Sequence, residues 1–435
     1  MGANEPGCQI PAERAMSMNR NNRGFSLIEL LVVTAIFMIV IIISSDAFNV
    51  IRRNAYTQSR LAQSNIDGVT GLEILRSDLE AAGFGLFWSM PTDSNGNIVN
   101  ISYGDPADGE ADDNPPQNAY NLTGGVPPAV QSGNDTFLND DTLQLNGTDY
   151  LVLRGTTLAH NAASQKWSYM TRQLVFATIS SATPSAFPLH VNSWSSGNLT
   201  LQDKVVVITG AQDPDPSNHR KLVTNSGVFF TKFTEPNLSN FQPPLPSMPA
   251  VPHPLIVDSP AYFIYGVHTA DGTSNGEKLR MPYNRADYYV RRPNAGVNRV
   301  PQRCAPGTGI LFKAVAGHAN GVQTEYPLLD CVADFQVVYS LDTGDVSASG
   351  LDSMTPADIR NRLKNIQVYI LTHAGGRDTG YSYPDQSTGV GPGNGITSGT
   401  GSTRTFTQFS SSSKNYRWKV YRITVTPKNI LPAQR

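Results

Sequence analysis

Cysteine is scarce, with three in 435 residues. That count excludes a disulfide-dense scaffold and leaves no thiolate cluster for structural zinc or iron–sulfur ligation, which wants four ligands at short spacing. Charge is sparse as well. Only 16% of the residues are charged, and 33 Lys+Arg against 35 Asp+Glu give a net charge of −2, so no basic footprint for general nucleic-acid binding exists. A helical bundle or a disordered acidic tail would need far more charge or strong helix formers. Catalytic signatures are missing too. The seven histidines are scattered singly without HExxH spacing, and no GxSxG elbow or Walker loop occurs. Ser411, Ser412, Ser413 and Lys414 have the S-x-x-K form, but inside a Ser-rich run where a match carries little. The glycines between Gly389 and Gly401 lack the strand and helix that frame a phosphate cradle. The expectation is a protein that is not an enzyme and holds no cofactor. What is abundant is 37 Gly and 30 Pro beside 39% hydrophobic residues, the composition of a loop-rich β protein with room for one large head or two domains.

The most informative segment is N-terminal. Polar residues 1–24 give way to an apolar run from Phe25 to Ile43 whose only formal charge is Glu29. Nineteen helical residues reach roughly 28 Å, close to the hydrocarbon thickness of a bilayer. Arg14, Arg20 and Arg23 precede the run, so the positive-inside rule sets the N-terminus in the cytoplasm and exports the remainder. A secretory signal would be cut behind its apolar core, after a small-x-small pattern. Here the small residue, Gly24, abuts the run on its N-terminal side.

Gly24, the stretch Phe25, Ser26, Leu27, Ile28, Glu29, and then Leu30, Leu31 and Val32 resemble the class III leader junction of type IV prepilins and type II secretion pseudopilins. The resemblance implies cleavage by prepilin peptidase between Gly24 and Phe25, methylation of the new Phe25 amine, and retention of the hydrophobic segment. It also implies a role for Glu29, whose carboxylate would meet the free N-terminal amine of a neighbouring subunit on assembly. A carboxylate inside a bilayer costs on the order of 2.5–3.5 kcal/mol on insertion scales, so it is a functional candidate by default. The plain alternative is that Glu29, one turn from the end, snorkels to the headgroups. Two features depart from the family. Asp46 stands where major pilins often have a kinking proline, and the leader is long and carries Glu5, Cys8 and Glu13, which leaves Met1, Met16 and Met18 open as starts.

Beyond the run, Ala62, Ile66, Val69, Leu72, Leu75, Leu79 and Ala82 recur at steps of three or four, which predicts an amphipathic helix continuing to about residue 82. Gly68 and Gly71 fall inside it and each cost up to about 1 kcal/mol relative to Ala, so a local softening is expected there. Residues 95–133 read as a long loop. Strands are then expected at 142–145 and 150–153 around Asn146 and Gly147, and at 174–176, 204–209, 227–233, 261–267, 287–290, 309–315, 332–340, 365–371 and 419–426. Thr355 and Pro356 read as the cap and first turn of a short helix through Leu363. The fold class is α+β, and the resemblance implies a pilin-like ladle: a long helix packed on a large antiparallel β-rich head. The domain reading is a leader over 1–24, a membrane or filament-core segment over 25–43, an amphipathic half-helix over 44–82, and an exported head over 83–435. The Pro-rich stretch 235–254 marks a division of that head into two lobes.

Residues 327–342, 366–371 and 421–429 resemble PilW-type minor pilins. That resemblance implies a minor pilin in the initiation or tip complex of a type IV pilus, held in the inner membrane with its head in the periplasm and placed at the pilus tip or fibre after assembly. Its partners would be other minor pilins, the major pilin, prepilin peptidase, the assembly machinery and inner-membrane lipid, with no nucleic acid. Two alternatives stand beside it, a J-type pseudopilin of type II secretion and a membrane-tethered adhesive or binding module. Cys304 and Cys331 have one pairing available in an exported domain, worth around 3 kcal/mol for such a loop. Two separate buried thiols are the alternative, favoured by Cα atoms more than about 7 Å apart. No metal site is expected. Asp105, Asp108 and Asp112 in an acidic loop are weak calcium candidates, because their spacing does not match an EF-hand and a solvated loop is the simpler reading.

Overall fold

The structure is a computed structural model, and it describes residues 26–91, 97–104, 120–134, 141–142, 144–172, 189–191, 199–200, 203–210, 219–224, 228–233, 261–269, 279–293, 299–318, 321–384, 387–390, 402–405 and 412–430. The expected leader, the strand at 174–176, and the stretch 235–254 lie outside them. The chain divides into two units, Met1–Ser59 and Arg60–Arg435. Helix α1 runs from Leu27 to Ala81 and contributes to both. In the first unit its apolar side chains are exposed from Leu27 to Ile51.

In the second unit the strands are β1 (Val130–Asn134), β2 (Asp149–Gly155), β3 (Trp167–Arg172), β4 (Leu189–Val191), β5 (Lys204–Thr209), β6 (Thr231–Lys232), β7 (Ala261–His268) and β8 (Asn284–Arg291). They are followed by β9 (Gly309–Ala316), β10 (Gln323–Leu341), β11 (Gly344–Ser347), β12 (Leu363–Ala374), β13 (Ser387–Val390), β14 (Ser402–Thr405) and β15 (Arg417–Val425). An eight-stranded sheet is ordered β1-β2-β8-β9-β10-β12-β15 with β11 beside β10, and a five-stranded sheet is ordered β4-β3-β7-β5-β6. The paired strands are antiparallel throughout. Strands β5 and β7, which flank 235–254 in the chain, pair directly. Helices α2 (Ala348–Asp352) and α3 (Pro356–Arg362) connect β11 to β12. As the Thr-Pro signal predicts, the Thr355 hydroxyl caps α3 by accepting the Asp358 N–H.

Three local expectations need correction. None of the described residues of 142–145 belongs to a strand, and β1 occupies the partner position beside β2. Asp141 is engaged instead in closing the loop, its carboxylate accepting the Asn146 N–H. Val69 is exposed, not part of the buried stripe. The buried face passes through Gly68, Gly71, Leu72, Leu75, Asp78, Leu79 and Ala82, and Val69 lies about 100° around the helix from Gly68.

The helix glycines mark close packing rather than softening. A Cβ on Gly71 would lie 2.2 Å from the Leu328 carbonyl oxygen, and one on Gly68 would lie 3.1 Å from a Leu329 methyl. Leu328 and Leu329 belong to β10 at the place where its pairing with β9 shifts register, between Pro327 and Leu329 and again before Val332. Pro327 cannot donate to a ladder, so a bulge beside it is where a mid-sheet proline is tolerated. The bulge pushes backbone toward the helix, and glycine leaves the space.

Asp78 is the one carboxylate on the buried helix face among the described residues. It is 1% exposed, accepts a hydrogen bond from the Tyr288 hydroxyl on β8, and lies 2.5 Å from Lys313 Nζ on β9 and 2.9 Å from His160 Nε2. Across the same sheet, Arg285 donates twice to Asp287, at 2.7 and 2.8 Å, and Asp287 also accepts from Tyr150 and Gln323. His318, 4% exposed, is held down to about 3 by burial and by His268, Lys204 and Arg280 nearby. Burial lowers His373 to about 4, and the charges of Arg303 and Lys419 add to it.

Two outcomes are expected. Gly71→Ala forces a methyl into the Leu328 carbonyl and destabilises by about 1–3 kcal/mol, an overpacking cost, whereas Gly68→Ala meets a movable methyl and costs less; urea unfolding in detergent measures both. Secondly, the depressed histidines are neutral when folded but titrate near 6.5 when unfolded, so the unfolded chain takes up protons first. Their contribution is whole above about pH 6.5 and falls by roughly 2 kcal/mol between about pH 6.5 and 5.5 for the pair. His318→Gln halves that pH-dependent loss.

Candidate functional site: the N-terminal apolar helix

The first turn of α1 is built by two residues three apart. The Ser26 hydroxyl accepts the Glu29 N–H at 3.2 Å, and the Glu29 carboxylate accepts the Ser26 N–H at 3.1 Å and its hydroxyl at 3.3 Å. This is a reciprocal capping box, which satisfies two of the donors that a helix start leaves open and puts a negative charge at the positive end of the dipole. The S-x-x-E spacing was visible in the sequence as part of the junction, although its capping role follows only from the geometry.

From there the helix is long and apolar enough to cross a membrane over Leu27–Arg52, 26 residues. At 1.5 Å per residue that is about 39 Å, against roughly 30 Å of hydrocarbon. The span passes the expected end at residue 43 and takes in Asp46. Its side chains meet no protein in the first unit: Leu27 is 84% exposed and Phe37 64%. A helix apolar all round and covered by nothing wants lipid or other helices. Thr34, a polar residue in this stretch, returns its hydroxyl to the Leu31 carbonyl at 3.0 Å, which removes the cost of an unpaired donor in oil.

Gly24 and Phe25 lie outside the described residues, as do Asp105, Asp108 and Asp112. Cys304 and Cys331 are joined, with S–S 2.01 Å and Cα atoms 4.9 Å apart. Sequence reasoning passed over His373, whose ring lies with the two sulfurs inside 4.8 Å; a histidine 42 residues after a cysteine gives no local signal.

Residues 19–45 match the family model described as the prokaryotic N-terminal methylation motif. The chain carries a prepilin-type signal. That motif supports a type IV pilin-like or type II secretion-type protein, processed by prepilin peptidase, and with the apolar helix it supports anchoring by a single membrane pass. No curated protein and no solved structure matches the chain.

Ser26→Ala deletes the cap and is expected to weaken the first turn by about 0.5–2 kcal/mol. Amide hydrogen exchange in micelles reads this as faster exchange at Leu27 to Glu29, with Leu72 to Leu79 unchanged.

Proposed function

We propose that the protein is a minor pilin of the PilW type, which after cleavage between Gly24 and Phe25 joins other minor pilins and the major pilin in the complex that initiates or tips a type IV pilus. The observation that carries this reading is the methylation motif at residues 19–45 joined to an uncovered apolar helix. Its physical content is the fate of Glu29. Among the described residues the carboxylate is held by Ser26, and an anion at the edge of a bilayer gains from a cationic partner. The methylated Phe25 amine of an adjacent subunit supplies one, so lateral assembly neutralises both charges and sets axial register. The work is assembly and not catalysis.

The N-terminus lies in the cytoplasm and the head in the periplasm, in keeping with Arg14, Arg20 and Arg23 before the span. The second unit, Arg60–Arg435, carries three sheets among the described residues, a bulk that suits a low-copy or tip position better than a closely repeated one. The pilin-like ladle, with α1 as handle, is the fold this function requires.

Mass spectrometry of the membrane-extracted protein is expected to find a mature chain beginning at methylated Phe25. Glu29→Leu is expected to leave cleavage intact and to reduce recovery in sheared pili at least tenfold. Loss of pili on deletion with secretion intact supports the pilus; loss of secretion with normal pili transfers the role to a type II pseudopilin. Normal piliation with lost surface attachment makes the head an adhesive module.

A further inference from the structure

Cys304, Cys331 and His373 hold their donor atoms within 4.8 Å of one another. Their elements fix all three. Cys304 ends the turn before β9, its N–H donating to the Pro301 carbonyl at 2.9 Å. Cys331 sits at the β10 irregularity with a left-handed φ of 59°, and its carbonyl accepts from the Thr372 hydroxyl at 3.0 Å. His373 follows Thr372 on β12, 2% exposed, with its ring against Tyr416 and Trp418 at centroid distances of 4.6 and 5.1 Å.

The hydrogen bonding of the ring assigns its lone pair. The Ala305 N–H donates to His373 Nε2 at 2.9 Å, so the ring proton is on Nδ1. Nε2 therefore aims its lone pair at the peptide that joins Cys304 to Ala305. Nδ1 has no hydrogen-bond partner among the described residues.

We propose that Cys304, Cys331 and His373 form a site for a thiophilic divalent metal ion, zinc in kind, whenever the disulfide is reduced. A dithiol reduces the S–S bond by giving it two electrons and two protons and closing its own disulfide; a phosphine gives two electrons and ends as the phosphine oxide, with the oxygen and both protons taken from water, and either route leaves two thiols. The incoming ion displaces both thiol protons, binds two thiolates and Nε2, and Nε2 gives up its bond from Ala305. Two thiolates and one imidazole are a zinc-type donor set, with a fourth position left for water. The disulfide and the metal exclude each other, so these three residues exist either cross-linked or metal-loaded. The inference rests on the second unit alone and stands apart from the pilus reading.

Cobalt(II) is the probe. Full-length protein in detergent, reduced with a phosphine, is titrated with Co²⁺ and compared with the oxidised protein. One equivalent is expected to give thiolate-to-cobalt charge transfer with the intense d–d bands of a four-coordinate ion, and the oxidised protein is expected to give neither. His373→Ala is expected to lower the affinity about tenfold to a hundredfold, and Cys304→Ser to remove most of the charge transfer. Circular dichroism after reduction tests whether the head stays folded. Unfolding on reduction overturns the proposal, as does cobalt binding without charge transfer or binding unaffected by His373→Ala.

Discussion

The placement of helix α1 in the second unit depends on one buried carboxylate. Asp78 leaves water completely and meets Tyr288, Lys313 and His160, which come from β8, β9 and the turn after β2. Taking an ammonium and a carboxylate out of water costs several kcal/mol per ion, and their attraction offsets this only with further hydrogen bonds in good geometry. A one-turn slip of the helix would strand Lys313 without its counter-charge. Apolar packing by Leu72, Leu75 and Leu79 holds the helix down, but such packing tolerates shifts. The ionic contact does not.

The two faces of the eight-stranded sheet use different chemistry. One receives the helix with an apolar core that includes Leu151, Leu153, Tyr288, Val290, Val337 and Ile370. The other carries an aromatic row in which Tyr120 stacks on Tyr150 and Tyr150 on Tyr289, the second pair with centroids 5.1 Å apart and planes 2° from parallel. The hydroxyls of that row are anchored by ions: Tyr150 donates to Asp287, and Tyr289 to Glu325, which also takes Arg291. Buried phenols need partners, and the carboxylates in turn need Arg285 and Arg291.

Legibility in the sequence follows the range of the interactions. Strands β9, β10, β12 and β15 announce themselves by β-branched and aromatic runs, and the Thr355 cap is local, so both were readable. Strand β1, Val130–Asn134, was not, because its sequence VQSGN has turn composition and is made a strand by pairing with β2. The glycines at 68 and 71 read as weak points because the backbone that fills their space comes from Leu328. The role of Asp78 has no local signal, since its partner Tyr288 is 210 positions away. At the N-terminus the opposite holds. Junction, charge and span are contiguous, and the motif match falls on the same residues.

The bond from Cys304 to Cys331 closes a covalent ring that contains β9 and the β10 segment seating Gly71. While the bond is intact, the loop that packs on Gly71 cannot be drawn out of the second unit as a free strand. That loop runs into a 19-residue strand whose first part pairs with β9 and whose second part pairs with β12. Force reaching the seat of the helix in the second unit is thus shared between a covalent bond and a hydrogen-bonded ladder.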